Sequence, residues 1–162
     1  MSEPKASRPY MPGYGILDAD SGTGLLPWDW AVERLTNSHN YWLATTRPDG
    51  RPHAMPVWGL WLEGMFYFST GAQSRKARNL AANQGCVLCT ERADEAVILE
   101  GEARKVTDLA LLEPFYQAYK SKYGWDMESL GEPVYAIRPN VVFAFTENEL
   151  TGSATRWLFE NV

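Results

Sequence analysis

Along the chain, apolar residues change their spacing several times, and each change marks an element. Residues 1–26 show no sustained period. Pro and Gly are dense there and Tyr10, Tyr14, Ile16 and Leu17 are isolated apolar anchors, which predicts an arm lying on a domain that spans 27–162. From Pro27, a residue suited to a first helical position, to about Ser38, a helical period places Trp30, Val32 and Leu35 inward and Asp29, Glu33 and Arg34 outward. At Asn40 the period falls to two. Tyr41 to Thr46 reads as a strand, Arg47-Pro-Asp-Gly50 as a turn, and Pro52 to Trp61 as the hairpin partner. Alternation in that partner puts His53, Met55, Val57, Gly59 and Trp61 on one face and Ala54, Pro56, Trp58 and Leu60 on the other. Pro56 has no N–H for a ladder, so a bulge or an opening is expected at that point.

Glu63-Gly64 turns the chain into a third strand, Met65 to Thr70. A helix from Ser74 is expected to bury Ala77, Leu80 and Ala81 and to stop at Gly85. Strands over Cys86–Glu91 and Ala96–Val106 follow, then a helix from about Asp108 to Tyr123 with Leu112, Phe115, Tyr116 and Tyr119 at helical spacing and Pro114 early enough to kink or delay it. Two late strands, 134–138 and 141–146, flank Pro139, and Thr155 to Phe159 closes the sheet. Consecutive hairpins with few crossovers predict a mainly β fold with a few helices, an antiparallel barrel and not a doubly wound sheet.

Composition narrows the function classes. With 162 residues, 45% hydrophobic and 22% charged, the chain suits one compact domain, and about 150 residues bury nearly 70% of their unfolded surface, enough to fold without a metal or disulfide. Cys86 and Cys89 stand three apart on a strand and point to opposite faces, which suits core packing and not a zinc or redox pair. No apolar run approaches the roughly 18 residues of a membrane span, and the N-terminus is polar, so a cytoplasmic protein is expected. A net charge of -5 argues against nucleic-acid binding. Only two histidines, His39 and His53, are present, which excludes a three-histidine metal site, and no Gly-x-Ser-x-Gly elbow occurs. No metal and no catalytic residue is assigned. Seven Trp and eight Tyr suit an interface or a flat ligand as well as a core.

The sharpest local feature is Ser74-Arg-Lys-Ala-Arg78. Ser74 is a good N-cap, yet Arg75, Lys76 and Arg78 crowd the helix end whose free N–H groups already make the potential positive. Each cation there is unfavourable by roughly 0.3–1 kcal/mol. A bound phosphate reverses those signs by accepting from backbone N–H groups, the Ser74 hydroxyl and the cationic heads. A solvated basic helix face is the alternative.

The run Tyr41-Trp-Leu-Ala-Thr-Thr-Arg-Pro-Asp-Gly-Arg-Pro-His-Ala-Met-Pro-Val-Trp58, followed by Phe66-Tyr-Phe-Ser-Thr70 and Ser74-Arg-Lys-Ala-Arg-Asn-Leu80, resembles the pyridoxamine-phosphate-oxidase-like split β-barrel family through about residue 106. The resemblance implies a homodimer that binds a flavin-type cofactor in two grooves along the subunit interface. It implies that Arg75 and Lys76 clamp the cofactor phosphate, with Ser74 and Arg78 as additions. Ser69 and Thr70 match positions touching the ribityl chain and phosphate, and His53, Met55, Pro56, Val57 and Trp58 match the strand along the ring edge. Thr155-Arg156-Trp157 is similar to a tail motif of deazaflavin-dependent relatives, in which it helps cover the cofactor.

Two departures bear on the substrate. Pyridoxamine phosphate oxidases carry a Lys where this chain has Trp58-Gly59, and a different terminal segment where it ends Phe-Glu-Asn-Val. Pyridoxamine phosphate is therefore not the expected substrate, and the aromatic strand and Arg-Trp tail favour coenzyme F-420 slightly over FMN. The expected function is an oxidoreductase transferring hydride to or from a small conjugated molecule. Rival readings are a flavin-, deazaflavin- or haem-sequestering protein without turnover, and a structural dimer with an empty groove. His53 is read equally as a donor to the ring or substrate and as an exposed interface residue.

Overall fold

The computed structural model describes residues 3–160, as strands β1 (Lys5–Ser7), β2 (Tyr41–Thr46), β3 (Pro52–Val57), β4 (Leu60–Leu62), β5 (Met65–Ser69), β6 (Gly85–Thr90), β7 (Glu95–Lys105), β8 (Val134–Thr146) and β9 (Thr155–Leu158), with helices α1 (Trp28–Asn37), α2 (Arg75–Ala82), α3 (Leu109–Tyr123) and α4 (Leu150–Ser153). Met1, Ser2 and the Asn161-Val162 end of the Phe-Glu-Asn-Val segment lie outside the described residues.

Every ladder is antiparallel, in the order β1-β9-β8-β7-β6-β2-β3, with β5 pairing both β8 and β4. The barrel expected from the hairpins is not closed. β8 forks the sheet, its first half pairing β5 and its second half β9, and among the described residues no ladder joins β4 to β3. β3 is thus an edge strand. That position accommodates Pro56, which stays in register opposite Trp42 without the expected bulge. The ladder stops after Val57, and Trp58-Gly59 separate β3 from β4. A Cβ on Gly59 would lie 2.3 Å from Phe66 Cζ, so only glycine permits this close passage.

The two late strands are one. β8 runs through Pro139, and Glu100 opposite Val141 with Gly101 opposite Pro139 leaves Asn140 as a surplus residue that absorbs the irregularity. The arm is also more than a surface wrap. Ala6 pairs Trp157 across β1 and β9, and the Arg8 guanidinium donates to the carbonyls of Ala154, Asp18 and Ser21.

Leu35, Tyr41, Leu43, Phe66, Phe68, Leu88, Leu99, Ile137 and Trp157 form the main core. A second cluster, Leu60, Tyr67, Phe115, Tyr119 and Val134, lies beneath α3. Asp108 caps α3 by accepting from Ala110 N at 2.9 Å, and Pro114 lies within that helix without delaying its start. α2 differs from expectation on its buried side. Ala77 and Leu80 are inside, but Asn79 replaces Ala81, which is exposed. The helix ends at Ala82 without a glycine stop: Asn83 is extended and Gly85 opens β6.

Candidate functional site

β5 delivers the chain to α2 through Ser69 and Thr70. Ser69 Oγ donates to Pro133 O at 2.9 Å, and the Thr70 and Ser74 hydroxyls lie 3.1 Å apart. Ser74 caps α2, its Oγ accepting from Ala77 N at 3.1 Å. The first turn holds no acidic residue. Among the described residues no carboxylate forms an ion pair with Arg75, Lys76 or Arg78. Arg75 and Lys76 are half-buried and Arg78 is exposed, and burial lowers the Lys76 ammonium from its ordinary value.

The β2–β3 hairpin brings a fourth nitrogen group to this helix. Asn79 Nδ2 donates to Thr45 Oγ1 at 3.0 Å, both residues being buried, and Thr45 stands opposite His53. His53 Nδ1 is shielded from solvent and has no hydrogen-bond partner, and Asn79 Oδ1 is likewise unpartnered. The imidazole is held below its ordinary value, first by burial and then by the cations Arg47, Lys76 and Arg75. Asp49, in the hairpin turn, is engaged by Arg51, whose Nε and backbone N donate to it at 2.9 and 3.1 Å. Arg47, His53, Arg75 and Lys76 therefore share one positive field, with an unsatisfied imidazole nitrogen among them. That set fits a phosphoryl group.

At the other end of β3 the chemistry becomes aromatic. Trp58 lies five residues from His53, about 17 Å at a strand rise near 3.3 Å. Its ring stacks on Tyr123 at 4.6 Å and 4°, and its Nε1 donates to Asn40 Oδ1 at 3.1 Å. His39 packs edge-on against both rings. Lys122 Nζ donates to Thr36 O, Gly59 O and Tyr41 Oη at 3.2, 3.1 and 2.9 Å, so its three N–H groups are engaged, and burial pushes it down to about 8. Met55 and Pro56 between the two ends are exposed, whereas the Val57 side chain is in the core and offers only its backbone.

Arg156 and Trp157 part company on β9. Trp157 is 1% exposed and meets Trp28 edge-on at 5.3 Å, so its ring belongs to the core of this protomer and cannot serve as a cofactor cover. Arg156 faces the other way and donates to Ser7 Oγ at 3.2 Å. It belongs to a row of directly opposed residues across the outer sheet face, Pro56, Trp42, Cys89, Ile98, Phe143 and Arg156. Trp42 is 52% exposed in that row.

Residues 29–151 match the family described as pyridoxamine 5'-phosphate oxidase. The chain belongs to that family. A curated pyridoxine/pyridoxamine 5'-phosphate oxidase of Bacteroides thetaiotaomicron is 33% identical over 124 residues, covering 74% of this chain and 55% of the relative, so the chain spans about half of that oxidase's length. The fold is similar to a solved pyridoxamine 5'-phosphate oxidase-like protein of Listeria innocua, at TM-score 0.63 and 16% identity, covering 74% of this chain and 98% of that one. It is also similar to a solved F-420 reductase, at TM-score 0.57 and 22% identity, covering 68% of this chain and 93% of that one.

Within this pyridoxamine 5'-phosphate oxidase-family fold, Ser69, Thr70, Ser74, Arg75, Lys76 and His53 lie around one helix start. Trp58 stands at the far end of the same edge strand, and Arg156 on the outer face. Two contributors escaped the sequence reading, Asn79 and Thr45, while Arg47 is a cation whose place only the structure gives. Asn79 carries a signal in retrospect, because it is four residues after Arg75 and shares its helix face.

Proposed function

We propose that this chain is a flavin-type oxidoreductase that binds coenzyme F-420 or FMN through its phosphate at the start of α2, in a homodimer, and transfers hydride to or from a small conjugated molecule. One observation carries the reading: among the described residues no carboxylate forms an ion pair with Arg75 or Lys76, and the two stand beside the unsatisfied His53 imidazole. The ring of such a cofactor, when bound, supplies the hydride chemistry itself. The residues of this chain supply anchorage and surroundings. Ser74, Arg75, Lys76 and Arg78 fix the anionic end, with Ser69 and Thr70 beside them. The edge of β3 from His53 to Trp58 gives a wall about 17 Å long beside them.

The likeness to an F-420 reductase supports the deazaflavin slightly over FMN. Trp58 stands at that end of β3 and the nearby Lys122 has its three N–H groups engaged, which supports a substrate other than pyridoxamine phosphate. A second copy is favoured by the largely apolar outer row, because an exposed apolar sheet face next to an open strand edge needs cover.

Equilibrium titration of the apo-protein with FMN and F-420 side by side tests the reading. Arg75→Ala together with Lys76→Ala should weaken binding by about 10²–10⁴-fold, because each charge-assisted bond contributes roughly 1.5–3 kcal/mol. Unchanged affinity in the double variant removes α2 from the site. Reduced cofactor that candidate acceptors fail to reoxidise would favour a sequestering protein.

A further inference from the structure

We propose that His53 is a ligand of the phosphate end, and not of the ring edge, and that it takes up one proton from solvent when a dianionic phosphate, such as the monoester of FMN, enters. The inference rests on the proposed function for the identity of the cofactor.

Three elements surround the imidazole. β2 supplies Thr45, directly opposite in the ladder, whose hydroxyl is already held by Asn79. The hairpin turn supplies Arg47, and α2 supplies Arg75 and Lys76. Asp49 is the carboxylate of that turn, and Arg51 engages it through a side-chain pair at 2.8 Å. Burial first, and then the cations Arg47, Lys76 and Arg75, hold the free imidazole below its ordinary value, and Asp49, engaged by Arg51, also feels Arg47 and Arg75. Its Nδ1 has no partner in that state.

A phosphoryl dianion reverses the balance. Placed among Arg47, Arg75 and Lys76 it offsets their charge, makes imidazolium the favoured form, and offers an acceptor to a ring nitrogen. The proton balance is simple: neutral imidazole plus one proton from water gives imidazolium, and no other bond changes. Binding should then strengthen as pH falls from 8 toward about 6.5, where a phosphate monoester is still largely dianionic, by up to about tenfold for each unit by which the imidazole rises.

Proton NMR reads this directly, because the chain has only two histidines and His53→Asn identifies the second signal. The probes are inorganic phosphate, FMN, F-420 and riboflavin, the last having a flavin ring without phosphate. Expected results are a rise of at least about one unit in the His53 titration midpoint with saturating phosphate or FMN, and no rise with riboflavin. Calorimetry at pH 7.5 in two buffers should show proton uptake with FMN that His53→Asn abolishes, leaving only the ligand's own ionisation.

FMN binding with a stationary His53 midpoint overturns the inference and leaves the proposed function standing. Phosphate binding with the shift, but no binding of FMN or F-420, supports the inference and removes the flavin reading. If neither phosphate nor FMN binds, the anion site itself is refuted.

Discussion

Asn79 of α2 donates its side-chain amide to the Thr45 hydroxyl of β2 at 3.0 Å, and both residues are buried. This bond fixes how the cation-bearing helix sits on the hairpin that carries His53. Asn79→Ala should destabilise the fold by about 1–3 kcal/mol, since it leaves a buried hydroxyl without its partner. Urea unfolding gives the value, and a loss near zero would show that solvent or a shifted rotamer satisfies Thr45.

The outer row through Trp42 is expected to meet a second copy. Trp42→Glu should shift the protein to monomer in sedimentation velocity and weaken cofactor binding by at least about tenfold, a change of roughly 1.4 kcal/mol. A wild-type protein that sediments as a monomer and still binds cofactor would discard the interface.

Alkaline pH should trace a maximum in stability. Lys122 is pushed down to about 8 from 10.5, chiefly by burial, so the unfolded chain binds more protons between those values and stability rises with pH there. Tyr41 is raised from 10.0 by burial, and Tyr123 is raised to about 12 for the same first reason. Above pH 10 the unfolded chain loses tyrosine protons that the folded one keeps, and stability falls. Urea midpoints between pH 7.5 and 11 should therefore peak near 10, and Lys122→Met should flatten the rising limb only.

Gly59 lets β4 pass beside Phe66. Gly59→Ala would set a Cβ 2.6 Å from the Tyr67 carbonyl and 2.3 Å from Phe66 Cζ. We expect a loss of about 1–3 kcal/mol from overpacking, with Trp58 fluorescence altered because Gly59 N and O both bond Tyr123 Oη at 3.0 and 2.9 Å. Unaltered melting would show that the ring of Phe66 yields freely.

Local pattern made much of this fold legible. Tyr41–Thr46 was readable to the residue, because alternation ends at an Arg-Pro-Asp-Gly turn whose backbone preferences are narrow. The Ser74 cap was readable for the same reason, and the cations behind it gave the candidate site its anionic end. What stayed hidden depends on partners remote in sequence. Ala81 looked like the inward residue of α2 because it is apolar, yet the inward place goes to Asn79, whose partner Thr45 lies 34 residues away. Trp157 looked like a ligand cover, until Trp28 from the other end of the chain claims its ring. Pro139 looked like a break because it lacks a donor, and only the pairing shows that Asn140 takes up the irregularity.

Asn140 also sets a parity. Before it, Tyr135, Ile137 and Pro139 point inward; after it, Val142 and Ala144 do. Side chains on a strand alternate, so the surplus residue switches the inward set from odd to even numbers and lets one strand serve both arms of the fork with apolar groups inside. Deleting Asn140 would leave Pro139, Val141 and Val142 in plain alternation, so both arms would keep their apolar side chains inward and only the local irregularity would be lost. The strand therefore tolerates a one-residue loss at Asn140, whereas removing a paired residue within either arm while the surplus one stayed would turn over the side chains beyond it.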